Sequence, residues 1–252
     1  MIKIIYILWF QGFNEAPDLV GKCVESWKYY NTDWTIILLD ESNYNQYINI
    51  NKYFDITKKN ISLTHLSDII RFLILEKYGG VWADATTFCN QSLNEWLPNN
   101  INEGFFAFDK PWPKLFLSTW FLYSEKNSYI INKWSKSTIK YYKIHDKAHT
   151  YFIHNYLFQD LYKDNIKFKL IWDKVPKISA IGARYLFEQG FFNKIDDKIK
   201  NSITSKITPV YKLTYKCVNC DIKLVNVYDK TLILHYLYST IIKPYIDKKI
   251  LK

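Results

Sequence analysis

Two carboxylates and an arginine stand close together in Ser67-Asp68-Ile69-Ile70-Arg71, followed by Tyr78-Gly79-Gly80-Val81-Trp82-Ala83-Asp84-Ala85-Thr86. Asp68 and Arg71, at i and i+3, fall on one face of a helix, away from the apolar stripe of the same segment. A solvated ion pair accounts for that spacing by itself. The chain has thirty-two lysines and only two arginines, however, so an arginine here suggests a planar, multi-donor contact that an ammonium does not reproduce. Asp84 closes a short apolar run, and a carboxylate at the carboxyl end of a strand in an open α/β sheet is where ligands bind.

The elements that must position these groups are legible as hydrophobic periods. Residues 3–9 read as a buried first strand that turns at Gln11-Gly12,. Pro17 suits a first helical turn, and Leu19, Val20, Cys23 and Trp27 follow at helical spacing up to Tyr30,. Residues 34–40 read as a second strand with Asp40 at its end, a strand-helix-strand order that implies parallel pairing,. Leu66, Ile69, Ile70, Leu73 and Ile74 define a helix over 64–78, with Thr64 as its expected cap and Gly79-Gly80 as its stop,. Residues 81–83, 105–108 and 115–123 read as further strands, 128–143 and 150–162 as helices, and 207–213 and 231–237 as extended,. The chain therefore reads as one α/β domain over 1–252 with a mostly parallel central sheet flanked by helices. Within it, 1–125 would carry most of the sheet and 126–252 would form a helical, basic part.

The run LSDIIRFLILEKYGGVWADAT resembles the nucleotide-sugar site of the GT-A glycosyltransferases that contain a DXD sugar-binding region, most closely their capsular polysaccharide synthesis branch. IIYILWFQG, PDLVGKCVESW, WTIILLD and VYKLTYK are similar to that branch in the same order, so the resemblance spans most of the chain. It implies a GT-A-like fold and transfer of a sugar from a nucleotide diphosphate donor, a UDP-sugar first, to a glycan or lipid-linked glycan, with retention of anomeric configuration. It implies that Ser67, Asp68 and Arg71 meet donor sugar and ribose hydroxyls. It also implies that Asp84 contacts the donor and helps hold Mn²⁺ or Mg²⁺ on the diphosphate. Where the second Asp of DXD would stand the chain has Thr86, a poorer ligand for a hard cation,. His235 is the candidate for a further metal ligand from near the C-terminus, although a lone histidine among apolar residues is more often a hydrogen-bonded core group. Trp9, Gln11 and Gly12 match the nucleotide-binding entry, with burial of Trp9 under the sheet as the competing reading. Lys212 and Lys216 are candidates to neutralise the leaving diphosphate. Trp120 and His154 fall in segments similar to the acceptor side.

Composition narrows the alternatives. The net charge of +10 is unevenly placed: residues 1–100 carry eight basic against eleven acidic side chains, and 101–252 carry 26 against 13. A basic surface attracts nucleic acid, anionic lipid or phosphorylated substrates alike, but no nucleic-acid-binding signature accompanies it, so nucleic acid is not an expected partner. Lys133, Lys136, Lys140 and Lys143 recur at helical spacing beside Ile130, Ile131 and Trp134, which suggests peripheral attachment to an anionic membrane surface; a solvated helix docked on the core explains the pattern as well,. Four cysteines are too few for a disulfide scaffold, and Cys217-Val-Asn-Cys220 lacks the partner pair of a zinc site,. With no signal-peptide core and no stretch approaching ~20 apolar residues, a cytoplasmic protein, peripheral at the inner membrane face, is the expectation. The missing second Asp leaves a rival open: a non-catalytic protein of the same fold that binds nucleotide sugar or glycan.

Overall fold

A computed structural model describes residues 1–190, 193–214 and 232–250. In chain order the elements are β1 (Ile4–Leu8), α1 (Asp18–Tyr30), β2 (Thr35–Leu39), α2 (Leu63–Tyr78), β3 (Gly80–Ala83), β4 (Thr87–Cys89), α3 (Leu93–Trp96), β5 (Phe105–Asp109), β6 (Leu117–Ser124), α4 (Tyr129–Ile144), α5 (Ile153–Asp164), α6 (Ile166–Lys174), α7 (Ala180–Gln189), α8 (Asp197–Thr204), β7 (Val210–Lys212) and α9 (Ile233–Ile250). They form two compact units built from interleaved segments. One takes Met1–Glu15, Asp33–Asp84 and Leu97–Ala180; the other takes Ala16–Thr32, Ala85–Trp96 and the chain from Ile181. The expected internal division at residue 125 has no counterpart in these boundaries.

The first unit is organised by a five-stranded sheet of order β2-β1-β3-β6-β5. The β-branched runs of β1 and β2 pair parallel, and β1 also pairs parallel with β3. Only β6 opposes its neighbours, so four of the five strands point one way and the sheet is mostly parallel. The carboxyl ends of β1, β2 and β3 consequently share one edge. Continuing the β1–β3 register of Tyr6 with Trp82 by two residues sets Leu8 beside Asp84. Helix α4 packs on α2 and α5, and α5 on α6. Ile130, Ile131 and Trp134 are fully buried in this packing, so the apolar patch expected to face a membrane is core.

The second unit pairs β4 with β7 and packs α1 against β4 and α9. Trp27 anchors α1 by donating its indole N–H to the Thr87 carbonyl at 2.9 Å. Cys23 and Cys89 are buried free thiols; Cys217, Cys220 and Lys216 lie outside the described residues. Among the described residues no helix is long and apolar enough to cross a membrane.

Two local expectations are corrected, and one strand is absent from the sequence reading. Ser62, not Thr64, caps α2, its hydroxyl accepting the His65 N–H at 3.3 Å. Residues 231–237 are not extended: helix α9 begins at Ile233, and Ile233, Leu237 and Ile241 are buried at i, i+4 and i+8, a period that a seven-residue window truncates,. Strand β4, three residues long, carries too few positions to show a period at all.

The passage from α2 into β3 depends on two glycines with positive φ, Gly79 at 71° and Gly80 at 102°. A Cβ on Gly80 would stand 2.7 Å from the Ile4 carbonyl oxygen, a backbone atom inside the sheet. Gly80→Ala is therefore expected to cost at least about 2 kcal/mol from the left-handed backbone and the clash together, lowering the thermal midpoint by roughly 5–10 °C. Thermal denaturation followed by circular dichroism checks this, and an unchanged midpoint would show that the strand shifts freely to admit the methyl.

Candidate functional site

Arg71 and Asp84 are thirteen residues apart, yet they touch. From Arg71 to the helix end the chain climbs roughly 12 Å at the helical rise. It reverses at Gly79-Gly80, and β3 brings it back roughly 13 Å at the strand rise. The two lengths cancel, returning Asp84 to the level of Arg71.

The result is a shared guanidinium. Arg71 Nη1 donates to Asp68 Oδ1 at 2.5 Å, and Nη2 donates to Asp84 Oδ1 at 2.7 Å. Trp82 contributes twice: its indole N–H donates to the same Asp84 oxygen at 3.0 Å, and its ring lies under the guanidinium with 5.1 Å between centroid and Cζ. Period-2 alternation sets Trp82 and Asp84 on one face of β3, a signal present in the sequence that residue-by-residue reading misses. The Asp84 amide donates to the Trp120 carbonyl at 2.8 Å and so pins the strand end to β6. Arg71 is 3% exposed and Asp68 8%, so they are not the solvated pair their spacing allowed. The Asp84 side chain, 27% exposed, is the member of the cluster most open to solvent. Arg71 Nε is buried with no hydrogen-bond partner among the described residues.

Burial pushes the Asp68 carboxyl up to about 6, against the pull of the Arg71 guanidinium; the Asp84 charge adds to the rise and His65 opposes it. His154 stands behind it, 1% exposed, with Nε2 3.7 Å from Asp68 Oδ2. Burial, with the positive groups of His65 and Arg71 nearby, holds this imidazole well below its ordinary value. His154 is therefore neutral near pH 7, and its approach to Asp68 is a dipolar contact rather than an ion pair. Nothing local connects residue 154 to residue 68, and only the packing of α5 brings them together.

The other expected residues distribute as follows. Ser67 is half-buried on α2 next to Asp68. Trp9 follows β1 at the same sheet edge as Asp84, half-buried rather than hidden under the sheet, with Gln11 exposed beyond it. Gly12, at φ 80°, closes the turn by donating its N–H to the Trp9 carbonyl at 3.0 Å. Trp120 is 8% exposed, its ring stacked on Phe108 at 4.8 Å. In the second unit, Lys212 Nζ donates to Thr86 Oγ1 at 2.6 Å, and the Thr86 carbonyl accepts the Leu213 N–H at 2.8 Å. The Thr86 hydroxyl is thus already engaged by a lysine. His235 is half-buried on α9, also in the second unit. Among the described residues no three His, Cys, Asp or Glu side chains gather as a protein-built cation cage. Asp84 is a single partly open carboxylate, so a cation there would have to take most of its ligands from water or a bound molecule, the habit of Mg²⁺,.

The profile of a family described as capsular polysaccharide synthesis protein matches residues 1–231. The chain belongs to that family. An O-glycosyltransferase, braB, of Annulohypoxylon truncatum is 26% identical over 113 residues, covering 40% of this chain and 27% of the relative. The chain thus spans about a quarter of the length of that curated relative. Among solved structures, the PaToxG glycosyltransferase is similar with a TM-score of 0.43 and 16% identity, covering 80% of this chain and 83% of its own. The apo form of the glycosyltransferase GlyE from Streptococcus pneumoniae TIGR4 gives 0.46 and 11%, covering 98% of this chain and 64% of its own.

A carboxyl ¹³C titration is expected to place Asp68 near pH 6, far above an ordinary aspartate,. A carboxylate with a raised folded value contributes stability that is present below about pH 4 and is lost as pH rises through about 6,. In Arg71→Lys a single ammonium replaces the fork and leaves one carboxylate poorly paired. The variant should lose about 3 kcal/mol, with a fall in thermal midpoint of roughly 6–12 °C, and its Asp68 should titrate higher still. An ordinary Asp68 titration would overturn the buried cluster.

Proposed function

We propose that the Asp68–Arg71–Asp84 cluster is the donor-sugar site of a GT-A glycosyltransferase. It would move a sugar from a nucleotide diphosphate, a UDP-sugar first, to a glycan or lipid-linked glycan in surface polysaccharide synthesis. The observation that carries this reading is one buried guanidinium held by two carboxylates at the carboxyl end of β3, in a member of the capsular polysaccharide synthesis family. The outward-facing carboxylate, Asp84, is held at a fixed orientation by two side-chain donors that would cost no rearrangement when the substrate arrives, Arg71 Nη2 and the Trp82 indole N–H, while its own backbone N–H donates to the Trp120 carbonyl,.

In the reaction the bond between the anomeric carbon and the diphosphate oxygen breaks, and its electron pair leaves with the diphosphate. The acceptor hydroxyl oxygen would form the new bond to the anomeric carbon, and its proton would pass to the departing diphosphate oxygen, which has gained the electron pair. Asp84 and Asp68 would hold donor hydroxyls by accepting from them, and Arg71 would keep both carboxylates in place. Mn²⁺ or Mg²⁺, held by Asp84, would supply positive charge to the diphosphate. Lys212 is proposed as a diphosphate contact, and His235 as a further metal ligand. Trp9, Gln11 and Gly12 are proposed for the base end of the donor. Retention of configuration belongs to the same proposal.

The second reading, a protein that binds nucleotide sugar without turning it over, is favoured by the engagement of Thr86 with Lys212. Turnover of a UDP-sugar by the wild-type protein decides between the two. Asp84→Asn keeps the shape but loses the charge. It is expected to lower transfer at least 100-fold and to weaken Mn²⁺ binding in the presence of UDP, read by electron paramagnetic resonance, at least about tenfold, with the fold retained. Wild-type metal binding in folded Asp84→Asn would remove the residue from the site. Thr86→Asp is expected to pair with Lys212 and so leave metal affinity unchanged; a tenfold gain in Mn²⁺ affinity would show that residue 86 aims at the cation instead.

A further inference from the structure

A groove of about 670 Å³, open to solvent, runs along α2 and α4 on the first unit, and none of Asp68, Arg71 and Asp84 lines it. Five lysines line it, alongside the apolar side chains of Ile48, Tyr53, Leu73 and Ile139. Lys136, Lys140 and Lys143 project from one face of α4 at i, i+4 and i+7,. Lys77 faces them from the last turn of α2, its Nζ donating to the Tyr47 carbonyl at 2.8 Å. Lys52 comes from the short turn at Ile50–Lys52. Among the described residues one acid, Glu76, lines the same space, and its Oε1 accepts from Asn132 at 2.9 Å. Five ammonium groups against one carboxylate leave an excess of four positive charges in one concavity. Lys52, Lys136, Lys140 and Lys143 form no ion pair among the described residues. Gathered like charges destabilise the fold that carries them unless an anion offsets them.

A second observation concerns a buried residue among those that line the groove. Ser135 is 1% exposed, lines the groove, and its hydroxyl has no hydrogen-bond partner among the described residues. A helix serine commonly returns its proton to the carbonyl one turn back; this one does not. A buried hydroxyl without a partner is costly unless something supplies one. Lysines alone would be a solvated face, but lysines around an unsatisfied buried donor make a place shaped for an acceptor-rich anion.

We infer that this groove is a binding site for a phosphate-bearing anion, gripped by Lys136, Lys140, Lys143, Lys77 and Lys52 and met by the Ser135 hydroxyl. The site is separate from the donor cluster and does not rest on the transferase reading. Phosphate is the chemistry that uses both features, since it carries charge for the ammonium groups and several oxygens to accept from a hydroxyl. A phosphate of this kind arrives either on a soluble diphosphate or on a lipid headgroup. A bare membrane plane would touch the lysine tips but not Ser135.

The test uses full-length protein labelled with ¹⁵N-serine, in which the Ser135 amide, assigned by its loss from the Ser135→Ala spectrum, reports on the groove alone. Titration with inorganic pyrophosphate is expected to shift that resonance saturably, and the Lys136→Ala/Lys140→Ala double variant should weaken the response at least tenfold. Flotation with phosphatidylglycerol vesicles is the second arm. Pyrophosphate response without flotation assigns a soluble ligand, and flotation lost in the double variant, with the Ser135 resonance shifted by vesicles, assigns a headgroup. Ser135→Ala should keep its fold, having lost only an unpaired hydroxyl, and should bind either probe roughly three- to tenfold more weakly. The inference is overturned if neither probe moves the Ser135 resonance, if the double variant responds like wild type, or if Ser135→Ala binds with full affinity, which would reduce the groove to diffuse surface charge.

Discussion

The guanidinium of Arg71 is the constraint on which the rest of the first unit's site depends. It is almost completely buried, and it answers two carboxylates that arrive from different elements, Asp68 from α2 and Asp84 from the end of β3. Removing three charges from water is costly, and a hydrophobic cluster of the same volume would often stabilise a fold as well or better. The cluster is thus poorly explained as a stabilising device and well explained as a positioning one. Its geometry rests in turn on Gly79 and Gly80, which let a helix and a strand meet without a loop. A loop of even a few residues there would let Asp84 slide along the helix and lose the fork.

The two carboxylates sit in different surroundings and are accordingly different groups. Asp68 is buried, with its carboxyl raised and a neutral His154 behind it. Asp84 is partly open and accepts two side-chain N–H bonds on one oxygen. Environment rather than residue type divides their work, one fixing the arginine and the other facing outward. Two aromatic residues support the arrangement: Trp82 from below the guanidinium and Trp120 through its backbone.

Elsewhere, side chains that the sequence offers for one purpose are committed to another. Thr86 stands where the sequence resemblance would put a second metal-binding carboxylate, and its hydroxyl is engaged by Lys212 within the second unit. The apolar residues of α4 that a membrane could take are consumed by the core, which leaves the lysines of the same helix lining a groove rather than flanking an insertion face. In both cases an amphipathic pattern or a motif position states what a residue could do, and the neighbour it meets decides what it does.

By itself the sequence determined the elements whose period is long enough to read: α1, α2 and α4 from their apolar stripes, β1 and β2 from their β-branched runs, the parallel order from strand-helix-strand succession, and the Asp68, Arg71 and Asp84 set from residue type and spacing. Its limits were physical. A three-residue strand such as β4 has no period, and the first turns of α9 alternate well enough to pass for a strand until the next turn is included. Tertiary structure alone decided that Asp68 and Arg71 are buried and not solvated, because burial depends on what packs over a helix face and not on the face's own polarity. It alone set His154 against Asp68 and Lys212 against Thr86, since contacts between residues so distant in the chain are made by the packing of whole elements, and no local spacing encodes them.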